Sequence, residues 1–326
     1  MVAYTGIQGQ NILIISSDPA NPTEGQIWYN STSNLLKGYA NVITNAWASG
    51  GAMPTGQRMM ATTGTQTSAI TFGGTPYVGT TLLYNGTSWT IPPATLNTVR
   101  GSLAGTGTQT AALAFGGEDP SPKTAASESW NGTSWTNTPS LNTARASLGG
   151  AGTQTATLGF AGYAGGGNYP TQTESWNGSS WTAVPGAVNT ARSSGGSAGT
   201  QTAALFFGGR SPIKSSSESW NGSTWTNTPS LNTGRGNLGG AGTQTSALAF
   251  GGTPSIPATN TGATEIWNGT SWTTSPNSMA TARRYTSGCG ADNNAALCVG
   301  GYTTSNLANT EEWTGAAVTV RTITTS

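Results

Sequence analysis

The segment Ser127-Glu128-Ser129-Trp130-Asn131-Gly132-Thr133-Ser134-Trp135-Thr136 constrains the fold more than any other, because versions of it return through the chain. Its core is an aromatic, Asn-Gly, two small residues and a Trp. It recurs as Tyr84-Asn85-Gly86 with Trp89, Trp130-Asn131-Gly132 with Trp135, Trp176-Asn177-Gly178 with Trp181, Trp220-Asn221-Gly222 with Trp225, and Trp267-Asn268-Gly269 with Trp272. A degenerate copy begins at Trp313. Asn-Gly accepts the positive φ values of a type I′ turn, so the flanking aromatic and Trp are expected on two short strands of a hairpin. A hairpin repeated at long period specifies a repeat architecture, in which each unit buries its faces against its neighbours.

Two further markers keep step with the hairpin from Trp47 onward. A Trp is followed ten or eleven residues later by Arg, in Trp47 and Arg58, Trp89 and Arg100, Trp135 and Arg145, Trp181 and Arg192, Trp225 and Arg235, and Trp272 and Arg283. A diglycine or its variant closes a short apolar run at Gly73-Gly74, Gly116-Gly117, Ala161-Gly162, Gly208-Gly209, Gly251-Gly252 and Gly300-Gly301. Successive arginines lie 42 to 48 residues apart, the length of a four-stranded propeller blade. In one unit the expected strands are residues 145–150, 155–160, 172–176 and 181–184, with a turn over 151–154. The last unit has Arg283, Gly300-Gly301 and Trp313 but no clear fourth strand. The Trp47 strand can complete it and clasp the two ends, and residues 317–323, an alternating run, are the competing closure.

The order Arg, apolar strand, Gly-Gly, Glu-x-aromatic, Trp, Pro resembles the kelch family of β-propellers from Trp47 to Trp313. The resemblance implies an all-β, six-bladed propeller of four-stranded antiparallel blades over residues 47–326, preceded by a short attachment segment, residues 1–46. Ala161 at a first-glycine position and Leu82 where other units have Glu depart from the family pattern, as do the Asn-Gly hairpins. Separately, Asn21-Pro22-Thr23-Glu24-Gly25-Gln26-Ile27-Trp28-Tyr29-Asn30 and Leu36-Lys37-Gly38-Tyr39 are similar to N-terminal segments of bacteriophage tail-fibre and related virion appendage proteins. That likeness implies a structural protein of the tail or particle surface, joined to other virion proteins through residues 1–46, whose propeller binds a host-surface glycan or protein. A connector role within the particle, and a glycan-active enzyme or lectin, are the alternatives.

Composition bears on which of these survive. Charged residues make up 7% of the chain and there are 48 Gly and 12 Trp, which describes a β-rich protein with many turns. Net charge is +1 with no run of like charges, so the footprint for nucleic acid is missing. Histidine is absent, which removes His-dependent triads and His-rich metal sites, and neither a cofactor nor an enzymatic activity is expected. The apolar run at residues 12–15 is too short for a signal-peptide core or a membrane span. An exterior-type composition without an export signal fits a virion component released by lysis. Cys289 and Cys298 are expected on two strands of one hairpin, and buried free thiols are the plainer reading of them.

Repetition assigns Trp89, Trp135, Trp181, Trp225 and Trp272 to packing between blades rather than to sugar stacking. Likewise Arg100, Arg145, Arg192, Arg235 and Arg283 match a series of glutamates, Glu128, Glu174, Glu218, Glu265 and Glu311, which implies ion pairs in an otherwise uncharged core. A catalytic carboxylate pair is not expected five times in one chain. Strand alternation puts the Gln-Thr and Asn-Gly turns on one face, and the loops after the diglycine with those between Trp and Arg on the other. The first face is nearly uniform. The second carries Tyr77, Glu118, Asp119, Lys123, Tyr163, Asn168, Tyr169, Arg210, Lys214 and Tyr302, and loops on a rigid scaffold are the expected binding positions. Tyr, Asn and isolated charges suit polar ligands, including glycans. Glu118 and Asp119 are adjacent, so their side chains diverge, and no second loop offers a matching acid for hydrolysis. No heptad is found in residues 1–46, which leaves homo-oligomerisation open.

Overall fold

A computed structural model of the chain describes residues 12–20, 26–42, 45–119, 122–315 and 317–322. Among these residues every regular element is a β-strand, and the strands form seven four-stranded sheets. They fall into two compact units, Met1–Asn45 with Gly315–Ser326, and Ala46–Thr314.

In the first unit Leu13–Ile15 runs parallel to Ile27–Asn30, which forms a hairpin with Leu35–Val42. Ala317–Thr322 pairs along the other edge of Leu35–Val42, so residues 315–326 group here rather than with the repeats. Asn30 organises the hairpin turn by accepting the N–H groups of Thr32 and Ser33. Asp18 accepts hydrogen bonds from Lys37, Asn30 and Trp28, and these hold its carboxyl down at about 2. Residues 21–25 of the segment similar to tail-fibre proteins lie outside the described residues.

The second unit holds six sheets, numbered 1 to 6 by first strands starting at Ala61, Ala104, Gly149, Gly196, Gly239 and Ser287. Sheet 3 is representative: Gly149–Gly152, Thr157–Phe160, Thr173–Trp176 and Trp181–Val184 pair in simple antiparallel order. Sheet 6 comprises Ser287–Gly290, Ala295–Val299 and Thr310–Thr314, and is completed by Ala46–Ser49, with Trp47 opposite Trp313. Of the two closures open in the sequence, the Trp47 strand is the one observed. First strands of consecutive sheets pack together, and that of sheet 6 packs against that of sheet 1, an arrangement consistent with a β-propeller. Each second strand is covered on both faces, which is why it is a continuous apolar run such as Ala112–Phe115 with every position buried. Fourth strands bury little beyond their Trp, as in Trp225–Thr228.

Three local expectations are corrected. The first strand of sheet 3 begins at Gly149 and not at residue 145, because Ser147 adopts φ +53° and a left-handed residue cannot continue a ladder. The turn that follows is correspondingly later, closed by Thr153 N–H on the Ala156 carbonyl. The Asn-Gly segment is a four-residue loop rather than a two-residue type I′ turn. Trp130 pairs with Trp135, and Asn131 Oδ1 accepts the N–H groups of Thr133 and Ser134 at 3.0 and 2.9 Å, so only Gly132 needs positive φ.

Neighbouring sheets are held by two repeated devices. Fourth-strand tryptophans pack on the phenylalanine of the preceding sheet, in Trp135 with Phe72, Trp181 with Phe115, Trp225 with Phe160, Trp272 with Phe207 and Trp47 with Phe250, with ring centroids 4.8–5.1 Å apart. The glutamine of each Gln-Thr turn donates to two carbonyls of the preceding sheet: Gln109 to Ala69 and Tyr84, Gln154 to Ala112 and Trp130, Gln201 to Thr157 and Trp176. Gln154→Ala is expected to lower stability by about 1–3 kcal/mol through the lost buried bonds, measured as a shift of the urea midpoint at constant slope. Within single sheets, five Arg–Glu pairs are sealed among the described residues, including Arg145 with Glu174 at 2.9 Å and Arg235 with Glu265 at 3.0 Å, each fixing the chain that enters a sheet to that sheet's third strand.

Sheet 1 lacks that pair, and its register corrects the assignment of Arg58. The second glycine of each pair donates its N–H to the carbonyl at the arginine position, as Gly117 does to Arg145, and Gly301 donates to Gln57. Gln57 therefore stands at the sixth arginine position, and Arg58 lies one residue beyond it. With Leu82 in place of Glu there is no carboxylate to compensate a buried guanidinium, and a neutral amide fills the site.

Candidate functional site

Two residues beyond each arginine position stand Met59, Ser102, Ser147, Ser194, Asn237 and Tyr285, all with φ between 53° and 56°. That conformation costs a non-glycine residue about 1–2 kcal/mol, and here it aims one N–H at the next sheet. Ser102 donates to the Met59 carbonyl at 2.7 Å, Ser147 to Ser102, Ser194 to Ser147, Asn237 to Ser194, Tyr285 to Asn237, and Met59 back to Tyr285 at 3.1 Å. The six sheets are thereby joined by a closed cycle of backbone hydrogen bonds. Inside it the first strands line a channel of about 270 Å³, walled mostly by Gly, Ala, Ser and Thr. Cys289 is the titratable residue among its lining, and burial pushes that thiol up to about 12, so it stays protonated.

Around this cycle the residue after each arginine position bridges to the residue after each diglycine. These contacts are Arg58 with Thr75, Gly101 with Glu118, Ala146 with Tyr163, Ser193 with Arg210, Gly236 with Thr253 and Arg284 with Tyr302. Five of the six bridges thus place charged or aromatic side chains beside the channel mouth, and those side chains form two clusters.

The larger cluster lies where sheet 6 meets sheet 1. The guanidinium carbon of Arg58 is 4.3 Å from the ring centre of Tyr302 and 5.9 Å from that of Tyr285; that of Arg284 is 5.0 and 5.6 Å from the same two rings. Arg284 also donates to Asn260 Oδ1 at 2.9 Å, and Arg210 donates to the Tyr285 hydroxyl at 3.4 Å. All five side chains are partly exposed. None of the three guanidinium groups has a carboxylate partner among the described residues.

The second cluster joins sheets 2 and 3. Glu118 is ion-paired with Lys123 and accepts a bond from Ser102 Oγ at 3.0 Å. Lys123 Nζ lies 5.2 Å from the Tyr163 ring centre, and Tyr163 packs on Tyr169 at 5.0 Å. Of the loop residues singled out from sequence, Glu118, Lys123, Tyr163 and Tyr169 meet here, and Arg210 and Tyr302 belong to the first cluster. Asn168 is exposed at the tip of a backbone turn, with its N–H on the Gly165 carbonyl. Asp119 follows Glu118, and Tyr77 and Lys214 sit half-buried on their own loops. Sequence reasoning missed Arg58, Arg284, Tyr285 and Asn260. The signal for three of them lies one and two residues after the arginine position, where Arg58, Arg284 and Tyr285 interrupt a series of Gly, Ala, Ser and Asn.

The repeated glutamates are closed to a substrate: Glu174, for instance, accepts from Arg145 and from the N–H of Asn142 at 2.7 Å and is fully buried. What faces outward is a set of guanidinium groups, phenols and amides with the Glu118–Lys123 pair, groups that can hydrogen-bond a polar ligand. No protein-family model matches the chain, and no curated protein matches it.

Proposed function

We propose that the Ala46–Thr314 unit is a six-bladed kelch-like β-propeller acting as the non-catalytic binding module of a bacteriophage tail fibre or related virion appendage, with the loop face engaging a host-surface glycan during adsorption. The observation that carries this reading is the contrast between the two faces. The Gln-Thr and Asn-Gly turns repeat the same bonds from sheet to sheet, whereas the loop face departs from the repeat with charged and aromatic residues gathered at the channel mouth. Variation confined to loops on a rigid frame is how binding sites are built. The virion assignment rests on the likeness of the N-terminal segment to tail-fibre proteins and on an exterior-type composition.

The test is competition. The labelled full chain should bind candidate host cells saturably, lose binding when surface polysaccharide is stripped, and block adsorption of the particle. A folded chain that binds no cell on which the particle adsorbs would remove the receptor role and leave a connector role.

A further inference from the structure

We infer that the cluster of Arg58, Arg210 and Arg284 around Tyr285 and Tyr302 binds the anionic group, carboxylate or phosphate, of an acidic surface polysaccharide. This deepens the receptor-binding reading and rests on it for the source of the ligand.

Charge distribution is the first support. The repeat arginines and Lys123 are each paired with a carboxylate, so unneutralised positive charge in this unit collects on the loop face, and most of it in this cluster. Like charges held together repel, and stacking on phenol rings orients the guanidinium groups without cancelling their charge. An anion supplies the missing counter-charge.

Donor capacity is the second. Each guanidinium carries five N–H donors. Within the protein Arg284 uses one on Asn260 and Arg210 one, at long range, on the Tyr285 hydroxyl, and Arg58 Nε is buried without a partner. The planar fork matches carboxylate and phosphate oxygens two at a time. Around the cluster lie amides and hydroxyls, Asn260, Asn306 and Thr75, which match the hydroxyl groups of a sugar better than the apolar side chains of a peptide.

The experiment measures binding of the full chain to four polymers: polygalacturonate, poly(glycerol phosphate), dextran and poly-L-glutamate. Candidate host cells are assayed in parallel. Variants are Arg58→Gln and Arg284→Gln, with Lys37→Gln, in the first unit, as a charge control away from the loop face. One of the two acidic glycan-type polymers should bind, which identifies carboxylate or phosphate. Each cluster variant should weaken that binding about tenfold or more, and Lys37→Gln should leave it within about twofold. Melting temperatures of the cluster variants should equal or exceed the parent's, since charge repulsion is relieved.

Binding that survives both cluster substitutions, dextran binding as tight as that of the acidic polymers, or failure of both acidic polymers would overturn the proposal. A preference for poly-L-glutamate would overturn it in favour of an acidic peptide. Host-cell binding that persists in the cluster variants would sink this site and spare the receptor role. Arginine-dependent polymer binding without cell binding would do the reverse.

Discussion

Glu218→Ala is expected to lower the stability of the repeat unit by about 3–5 kcal/mol, the effect of stranding a buried charge. Glu218 and Arg192 are both fully buried in sheet 4. The carboxylate accepts from the guanidinium and also from the N–H groups of Asn189 and Thr190, at 2.6 and 3.2 Å, so it anchors the connection into the sheet as well as the charge. Burial already pulls the Arg192 guanidinium below its usual range, and Glu218 is what opposes that pull. Sheet 1 shows the neutral alternative in Gln57 with Leu82. The double variant Arg192→Gln with Glu218→Leu should therefore recover most of the loss, to within about 1–2 kcal/mol of the parent. Urea unfolding of parent, single and double variants measures both effects. A single variant within about 1 kcal/mol of the parent would mean that the pair is not sealed as described.

Trp225→Ala should cost a similar amount, about 3–5 kcal/mol, for a different reason. Its ring lies between sheets 3 and 4, 4.8 Å from Phe160 and 5.5 Å from Trp220, in a cluster with Leu158, Ala204 and Phe206. Its Nε1 donates to Thr173 Oγ1 at 2.9 Å. Alanine there leaves a cavity between two sheets and an unmatched hydroxyl. Trp225→Phe keeps a ring and loses the bond, and should cost less than half as much. If Trp225→Ala melted with the parent but lost ligand binding, the repeated tryptophans would be ligand platforms and not packing.

Much of this architecture was legible because its devices are carried by rare residue types at fixed spacing. Trp, Gly-Gly and the Arg–Glu series each mark one place in a sheet, and their order implies four strands and a stack of sheets. The features that escaped are those without a residue signature. The left-handed cycle is made by backbone at Met59, Ser102, Ser147, Ser194, Asn237 and Tyr285, which share no side-chain chemistry. Strand starts were misplaced because that conformation interrupts each ladder invisibly. Gln57 was overlooked because Arg58 lies at an equally acceptable distance from Trp47, and absorbing Arg58 into the repeat hid one member of the charged cluster. The bonds made by Gln109, Gln154 and Gln201 went unread because a polar turn residue gives no sign that it reaches into the neighbouring sheet.

The two cysteines make a direct test of the binding face practical. Both are free and buried, and burial pushes both thiols up, so a maleimide should react with an introduced cysteine and spare them. Thr304, on the loop that carries Tyr302, and Thr155, in a Gln-Thr turn, are both exposed. The measurement is host-cell binding of Thr304→Cys and Thr155→Cys, each carrying the same bulky adduct. Loss of binding for the adduct at 304 with retention for the adduct at 155 is the predicted result. The opposite pattern, or equal binding by both, would contradict a receptor site at the loop face.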